Sequence, residues 1–130
     1  MANQSTAARS SSFALDARPA RPIDLVHLAK QCLGDEHLEY EILRLFDSTL
    51  VTYLGRLATA QNREAVLLHL HSIKGAANGV GAFAVADLAR AIEAKVQAGG
   101  DLLAEQLDDL AIAAEEVRVF IADMLSRAPA

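Results

Sequence analysis

The eleven residues His71–Gly81, with the sequence His-Ser-Ile-Lys-Gly-Ala-Ala-Asn-Gly-Val-Gly, carry the chemistry in this chain. A helix turns about 100° per residue, so Lys74 and Gly75 would lie within about 60° of His71, on either side of it. A neutral imidazole is a nucleophile that can form a covalent intermediate. The Lys74 ammonium is a compact positive charge suited to an anion. The pattern therefore predicts a nucleophilic histidine for a phosphoryl group.

Gly75 is unusual because a glycine inside a helix costs roughly 0.5–1 kcal/mol relative to alanine. On the same helical wheel, five apolar residues gather on the opposite side: Val66, Leu70, Ile73, Ala77 and Val80. They predict that this side faces a core and that the His71 side faces outward. Local rules tend to be broken at functional sites. Gly75 thus indicates that something bulky must approach His71.

This stretch resembles the active helix of histidine-containing phosphotransfer (HPt) domains. The matching residues are His71, Ile73, Lys74, Gly75, Ala76, Ala77, Val80 and Gly81. The resemblance implies a phosphocarrier that accepts a phosphoryl group on Nε2 of His71 and passes it to a receiver domain. It implies that Lys74 neutralises phosphoryl oxygens and that Gly75 admits the partner. It also implies partners among the receiver domains of response regulators and hybrid histidine kinases, with Mg²⁺ on the receiver and no cofactor on this chain.

Several other residues are candidates for supporting roles. Asn78 either hydrogen-bonds the phosphate or the partner backbone, or simply lies near the helix end, where Gly81 can terminate or bend the helix. The resemblance places Glu93 close to the histidine, where it would orient the ring, although an exposed and unrelated glutamate fits the sequence equally well. Three residues near the His71 side form a candidate docking rim: Leu67, Leu68 and Ala82. The two leucines could instead be core.

Apolar spacing predicts an all-α chain with a short first helix and four long amphipathic ones. The predicted ranges are Ile23–Leu33, Asp35–Ala60, Asn62–Gly79, Ala82–Gln97 and about Asp101–Ser126. On the second helix the predicted inward stripe is Leu38, Ile42, Leu45, Phe46, Thr49, Tyr53, Leu54 and Leu57. Short links predict an antiparallel up-and-down four-helix bundle over 23–126 with a short extra N-terminal helix. Residues 1–22 are predicted to be a disordered tail.

Composition excludes several classes of function. The chain has 130 residues and a net charge of −5, without the basic stripe of a nucleic-acid binder. No apolar run approaches the ~20 residues that span a bilayer. The single cysteine, Cys32, forms no internal disulfide and fits a reducing compartment. These features favour a cytoplasmic protein, expected to be a monomer, with neither nucleic acid nor membrane as a partner.

No Walker-type loop or kinase-like nucleotide motif is visible, so the chain is expected not to be an enzyme that phosphorylates itself from ATP. The alternative is a helical bundle that binds partners or inhibits them without carrying phosphate, and this class would not need His71, Lys74 and Gly75 together. A metal site is not expected, because His69 and His71 are about 200° apart on a helix. His69 is predicted to be partly buried and hydrogen-bonded.

Overall fold

The computed structural model describes residues 21–129, in which five α-helices occur and no strand. The helices are α1 (Leu25–Gln31), α2 (Glu36–Ala58), α3 (Arg63–Val80), α4 (Phe83–Gln97) and α5 (Ala104–Ser126). The predicted tail lies outside the described residues except for Arg21 and Pro22. No helix within residues 21–129 is both long and apolar enough to cross a bilayer.

Side-chain caps explain where the first three helices begin. Asp24 accepts the backbone N–H groups of Val26 and His27 at 3.0 Å each, and this starts α1 two residues later than predicted. The predicted second and third helices begin at Asp35 and Asn62, and these two residues are the N-caps of α2 and α3. Each satisfies a backbone donor that the first turn of a helix leaves without a partner.

The four long helices form the predicted bundle. Along the chain, α2 packs on α3, α3 on α4, and α4 on α5, while α5 closes the bundle against α2. Links of four, two and six residues join them, so consecutive helices run antiparallel. The helix α1 packs on α2 and α3. The helices α3 and α5 therefore lie diagonally across the core, with α2 and α4 on either side of α3.

The inward face of α2 differs from the predicted stripe. Phe46 and Leu57 are buried as expected, and Ile42, Tyr53 and Leu54 pack partly against the core. Leu38, by contrast, is exposed, and the other two buried residues are Leu43 and Leu50. Leu45 is 67 % exposed, because it lies outside the side of α2 that packs on the core. This helix carries apolar residues around most of its circumference and contacts α1, α3 and α5. The helices that pack on α2, rather than the apolar pattern of α2 itself, determine which of its sides is buried.

Gly81 joins the end of α3 to the segment before α1. Its φ of +88° is in the left-handed region, and it forms the C-cap of α3. Its carbonyl accepts the N–H of Asp24 at 2.9 Å, and a Cβ at Gly81 would lie 3.0 Å from the Asp24 carbonyl oxygen. Only glycine combines this backbone conformation with so close an approach. Gly81 is thus the helix terminator that the sequence predicts, and it also holds α1 against α3.

Gly81→Ala is therefore expected to lower the free energy of unfolding by about 1–2 kcal/mol from the left-handed backbone alone. The contact with Asp24 adds to this loss. The matched control is Gly79→Ala, on the exposed side of α3 one residue before its end, where a Cβ would contact no neighbouring element of residues 21–129 within 4 Å. That change should not destabilise the protein, since alanine is favoured over glycine in a helix by up to roughly 1 kcal/mol. Urea unfolding of both variants checks the pair. Equal stabilities would show that Gly81 has no special backbone role.

Candidate functional site

The outward face of α3 carries the candidate residues in the predicted arrangement. The His71 side chain is 69 % exposed, whereas Leu70 and Ile73 beside it are buried. Lys74 lies on the α4 side of His71, and its side chain is 25 % exposed. Gly75 is exposed, and a Cβ built on it has nothing within 4 Å. The imidazole therefore stands next to open space on one side and an ammonium on the other.

Glu93 on α4 completes the group. Its Oε1 accepts a hydrogen bond from Nζ of Lys74 at 2.7 Å, and its Oε2 lies 3.3 Å from Nδ1 of His71. The side chain of Glu93 is only 9 % exposed. One buried carboxylate thus contacts both candidate side chains of α3. Glu93 therefore faces Nδ1 of His71 and not Nε2.

The charge on Glu93 is maintained by its partners. The hydrogen bond from Lys74 holds the pKa of the Glu93 carboxyl below its usual value, against the opposing effect of burial, and His71 contributes in the same direction. A buried charge is costly unless it is paired and hydrogen-bonded. Here the pairing keeps Glu93 ionised at neutral pH. The carboxylate is therefore a fixed negative charge beside the histidine ring.

The fold explains how residues twenty-two apart in the chain meet. The helices α3 and α4 form a hairpin with only Gly81 and Ala82 between them. His71 precedes this link by about as many residues as Glu93 follows it, and both helices rise 1.5 Å per residue. The two side chains consequently lie at the same level.

The sequence contains a signal that Glu93 is buried, although an exposed glutamate seemed to fit the sequence equally well. Glu93 follows Ile92 and falls within a stripe of buried residues on α4, completed by Val85, Ala86, Ala89 and Val96. A charged residue at a core position of an amphipathic helix requires a partner, since an unpaired buried carboxylate would be strongly destabilising. The nearest cation across the hairpin is Lys74, which supplies that partner.

The three candidate docking residues do not share one environment. Leu68 is 61 % exposed, and Leu67 packs partly against the core. Ala82 was wrongly predicted to be part of a docking rim, because it is fully buried. The chain leaves the helical path at Gly81, so the helical-wheel position of Ala82 no longer applies. Ala82 is instead the N-cap residue of α4, and its N–H donates to the Ala77 carbonyl at 2.8 Å.

The remaining polar residues of α3 lie apart from the Glu93 group. Asn78 is exposed near the C-terminal end of the helix, and its proposed phosphate contact stays a prediction. His69 is partly buried as predicted, with its ring 5.8 Å from that of Tyr53. Its predicted hydrogen bond is wrong for Nδ1, which is buried without a partner among residues 21–129. Within residues 21–129, no three His, Cys, Asp or Glu side chains cluster as a metal site.

Comparison with known proteins identifies the family. A family model described as the Hpt domain matches residues 41–128, which is more than half of the chain and includes the histidine, lysine and glycine described above. No curated protein and no solved structure matches the chain. The matched range starts within α2 and therefore leaves α1 outside it. Hpt domains have a phosphotransfer role in phosphorelays, as phosphocarriers that interact with receiver or kinase proteins. With an all-helical bundle, an exposed histidine on α3 and this family match, the chain belongs to the Hpt domain family.

Proposed function

We propose that this protein is a phosphorelay intermediate that carries a phosphoryl group on Nε2 of His71. The observation that carries the proposal is the contact between Nδ1 of His71 and the buried carboxylate of Glu93. Which nitrogen of a histidine is reactive depends on the hydrogen bond made by the other one. A proton on Nδ1, facing Glu93, leaves the lone pair on Nε2. The ring is then a neutral nucleophile with a defined orientation.

Lys74 supplies the positive charge for the incoming group. An ammonium has three N–H donors and no acceptor, so Lys74 can keep its bond to Glu93 and still turn a donor toward a phosphoryl oxygen. Phosphoryl transfer depends mainly on positioning and electrostatic stabilisation. The transfer therefore needs few other groups from this protein, which fits a carrier without a nucleotide site of its own.

The docking face for a receiver domain lies on the α2 side of His71. On the helical wheel, Leu68 and Gly75 lie about 60° and 40° from His71 toward α2, opposite in sense to Lys74. Leu68 on α3 and Leu45 on α2 are both largely exposed. Between the two helices runs a groove whose apolar lining includes Phe46, Ile42, Ala76 and Val80. A receiver that covers Gly75 would therefore meet apolar surface on the α2 side of α3.

The partners in this proposal are receiver domains of response regulators and hybrid histidine kinases. The receiver brings the Mg²⁺ for the transfer, and no cofactor is assigned to this chain. A monomer in the cytoplasm is part of the same proposal. The direction of phosphate flow is set by the receiver that is paired with the protein.

Incubation with a phosphorylated receiver and Mg²⁺ tests the function. We expect acid-labile phosphate to appear on this protein as it disappears from the receiver aspartate, and to return when fresh receiver is added. Incubation with ATP and Mg²⁺ but no kinase or receiver is expected to leave the protein unlabelled. A protein that binds receivers but accepts no phosphate would support the alternative, a non-phosphorylated interaction or inhibitor module. Labelling by ATP alone would reveal a catalytic element of its own.

A further inference from the structure

The groove between α2 and α3 leaves apolar side chains open to water. Its lining includes Ile42, Leu45 and Phe46 from α2 and Val80 from α3. Gly79 also lines the groove and supplies no side chain that would fill it. The groove has a volume of about 370 Å³, and clefts of about 300–1,000 Å³ are typical of ligand sites. Exposed apolar surface of this kind marks a place where another segment binds.

The N-terminal segment of the chain joins the bundle at one end of this groove. The structure describes the chain from Arg21 onward, and Ile23 is already fully buried. The N–H of Asp24 donates to the carbonyl of Gly81 at 2.9 Å, and the three residues from Arg21 to Asp24 span at most about 11 Å. Gly81 directly follows Val80, which lines the groove. Residues 1–20 are therefore tethered beside the groove.

Residues 1–20 contain one apolar pair that suits such a groove. Phe13 and Leu15 are the only large apolar residues of this segment apart from Met1, and the rest are small or polar. In an extended chain, side chains two residues apart point to the same side. An extended segment would therefore present Phe13 and Leu15 to one surface, with Ala14 turned away from it.

From the open groove, the tether beside it and this apolar pair, we propose that residues 1–20 cover the groove between α2 and α3 by inserting Phe13 and Leu15 into it. The segment then competes with a receiver domain for the groove and limits the access of receivers to the protein. The competition rests on the function proposed above, whereas the contact within the chain does not.

The distances allow this contact. Leu15 is six residues from Arg21 and Phe13 is eight, so they can extend up to about 20 Å and 27 Å from it. Along α3, the four residues from Val80 back to Ala76 rise only about 6 Å. The segment thus reaches the whole groove without full extension. A short tether also maintains an effective concentration in the millimolar range, so that even a contact of modest affinity is populated.

The charges at the end of the groove suit this segment. Because α2 and α3 are antiparallel, the start of α2 lies at the same end of the groove as Val80. Four acids and no Lys or Arg occur there before Arg44, namely Asp35, Glu36, Glu39 and Glu41. The segment itself contains Arg9 and Arg18 and a single acid, Asp16. Opposite charges therefore favour this segment as the occupant.

Photocross-linking of the full-length protein tests the contact. With p-benzoylphenylalanine in place of Phe13, ultraviolet light should link position 13 to residues 42–49 or 76–80 of the same molecule, as located by mass spectrometry of the digested monomer. The same group in place of Ala7 is the control and should give few of these links. Links to the groove only in a cross-linked dimer would identify a second copy as the occupant and overturn the inference. Links elsewhere, such as on the exposed Val26 and Leu33 of α1, or no links at all, would also overturn it.

The effect on receivers is tested by combining Phe13→Ser with Leu15→Ser in the full-length protein. A groove that is open only about one-tenth of the time weakens receiver binding about tenfold. Freeing the groove should therefore raise the ratio of receiver-driven labelling to phosphoramidate labelling several-fold at receiver concentrations below saturation. Ala7→Ser combined with Ala8→Ser is the matched control, since it also adds two serines but removes no large apolar side chain. Its ratio should equal that of the wild type.

The two experiments separate this inference from the proposed function. A ratio for the Phe13 and Leu15 variant that matches the control would overturn the inference and leave the proposed function intact. Failure of the wild type to take phosphate from either donor would overturn the proposed function instead. The cross-links would still decide where the N-terminal segment binds.

Discussion

His71→Gln is expected to abolish phosphate acceptance completely while leaving the fold unchanged. The His71 side chain is 69 % exposed, and it makes a polar contact with Glu93. Surface substitutions away from packed features usually alter stability by no more than about 0.5 kcal/mol. Glutamine also has good helix propensity. The variant should therefore unfold at nearly the wild-type urea concentration, yet take no label from phosphoramidate or from a phosphorylated receiver.

The matched control for this result is His37→Gln, since His37 is exposed on α2 and should be dispensable. This protein should be labelled as the wild type is. Three histidines remain in His71→Gln, at positions 27, 37 and 69. Acid-labile phosphate on any of them, located by mass spectrometry, would contradict the assignment of His71 as the phosphorylated residue.

Gly75→Gln is expected to hinder the approach of a receiver to His71 without lowering the stability of the protein. The position is exposed within α3, and a Cβ there has nothing within 4 Å, so a longer side chain fits the helix without displacing a neighbour. Replacing the glycine removes a helix penalty of roughly 0.5–1 kcal/mol, so the variant should be at least as stable as the wild type. The glutamine side chain would, however, stand beside His71 where a receiver must dock. Phosphotransfer with receivers should slow by about tenfold or more, or ~1.4 kcal/mol in the barrier.

The informative quantity is the ratio of receiver-driven labelling to labelling by phosphoramidate, which needs far less room. We expect this ratio to fall in Gly75→Gln. Gly55→Gln provides the control, because Gly55 is equally open and lies on α2, about 15 Å along the helix axis from Leu45. Its ratio should remain that of the wild type. A parallel fall of both rates in Gly75→Gln, or loss of its fold, would show that Gly75 serves backbone geometry rather than access.

Features that depend on short sequence separations could be predicted from the sequence. His71, Lys74 and Gly75 lie within five residues of one helix, so helical geometry alone places them on one patch. The buried side of α3 followed in the same way, because most of its apolar residues gather on the side opposite His71. The number of helices and the Asp35 and Asn62 caps were also predictable, since caps and periodicity are local.

Contacts between helices were decided by the tertiary structure. The wheel position of Ala82 suggested an exposed docking residue, but the left-handed turn at Gly81 ends the helix and directs Ala82 into the core. The buried side of α2 was similarly undetermined, because apolar residues surround that helix and its neighbours select among them. Neither the burial of Ala82 nor the buried side of α2 follows from the apolar spacing of one helix alone.

The sequence by itself determined the candidate patch of this protein: an outward histidine, an ammonium and a gap in the side-chain cover, all on one helix. Only the tertiary structure decided what lies beneath that patch. Glu93 reaches His71 and Lys74 because a two-residue link folds α4 back along α3 and brings the three side chains to one level. The physical reason is that spacing along a helix is set by local backbone hydrogen bonds, whereas a contact across a hairpin depends on where the chain turns and which faces pack.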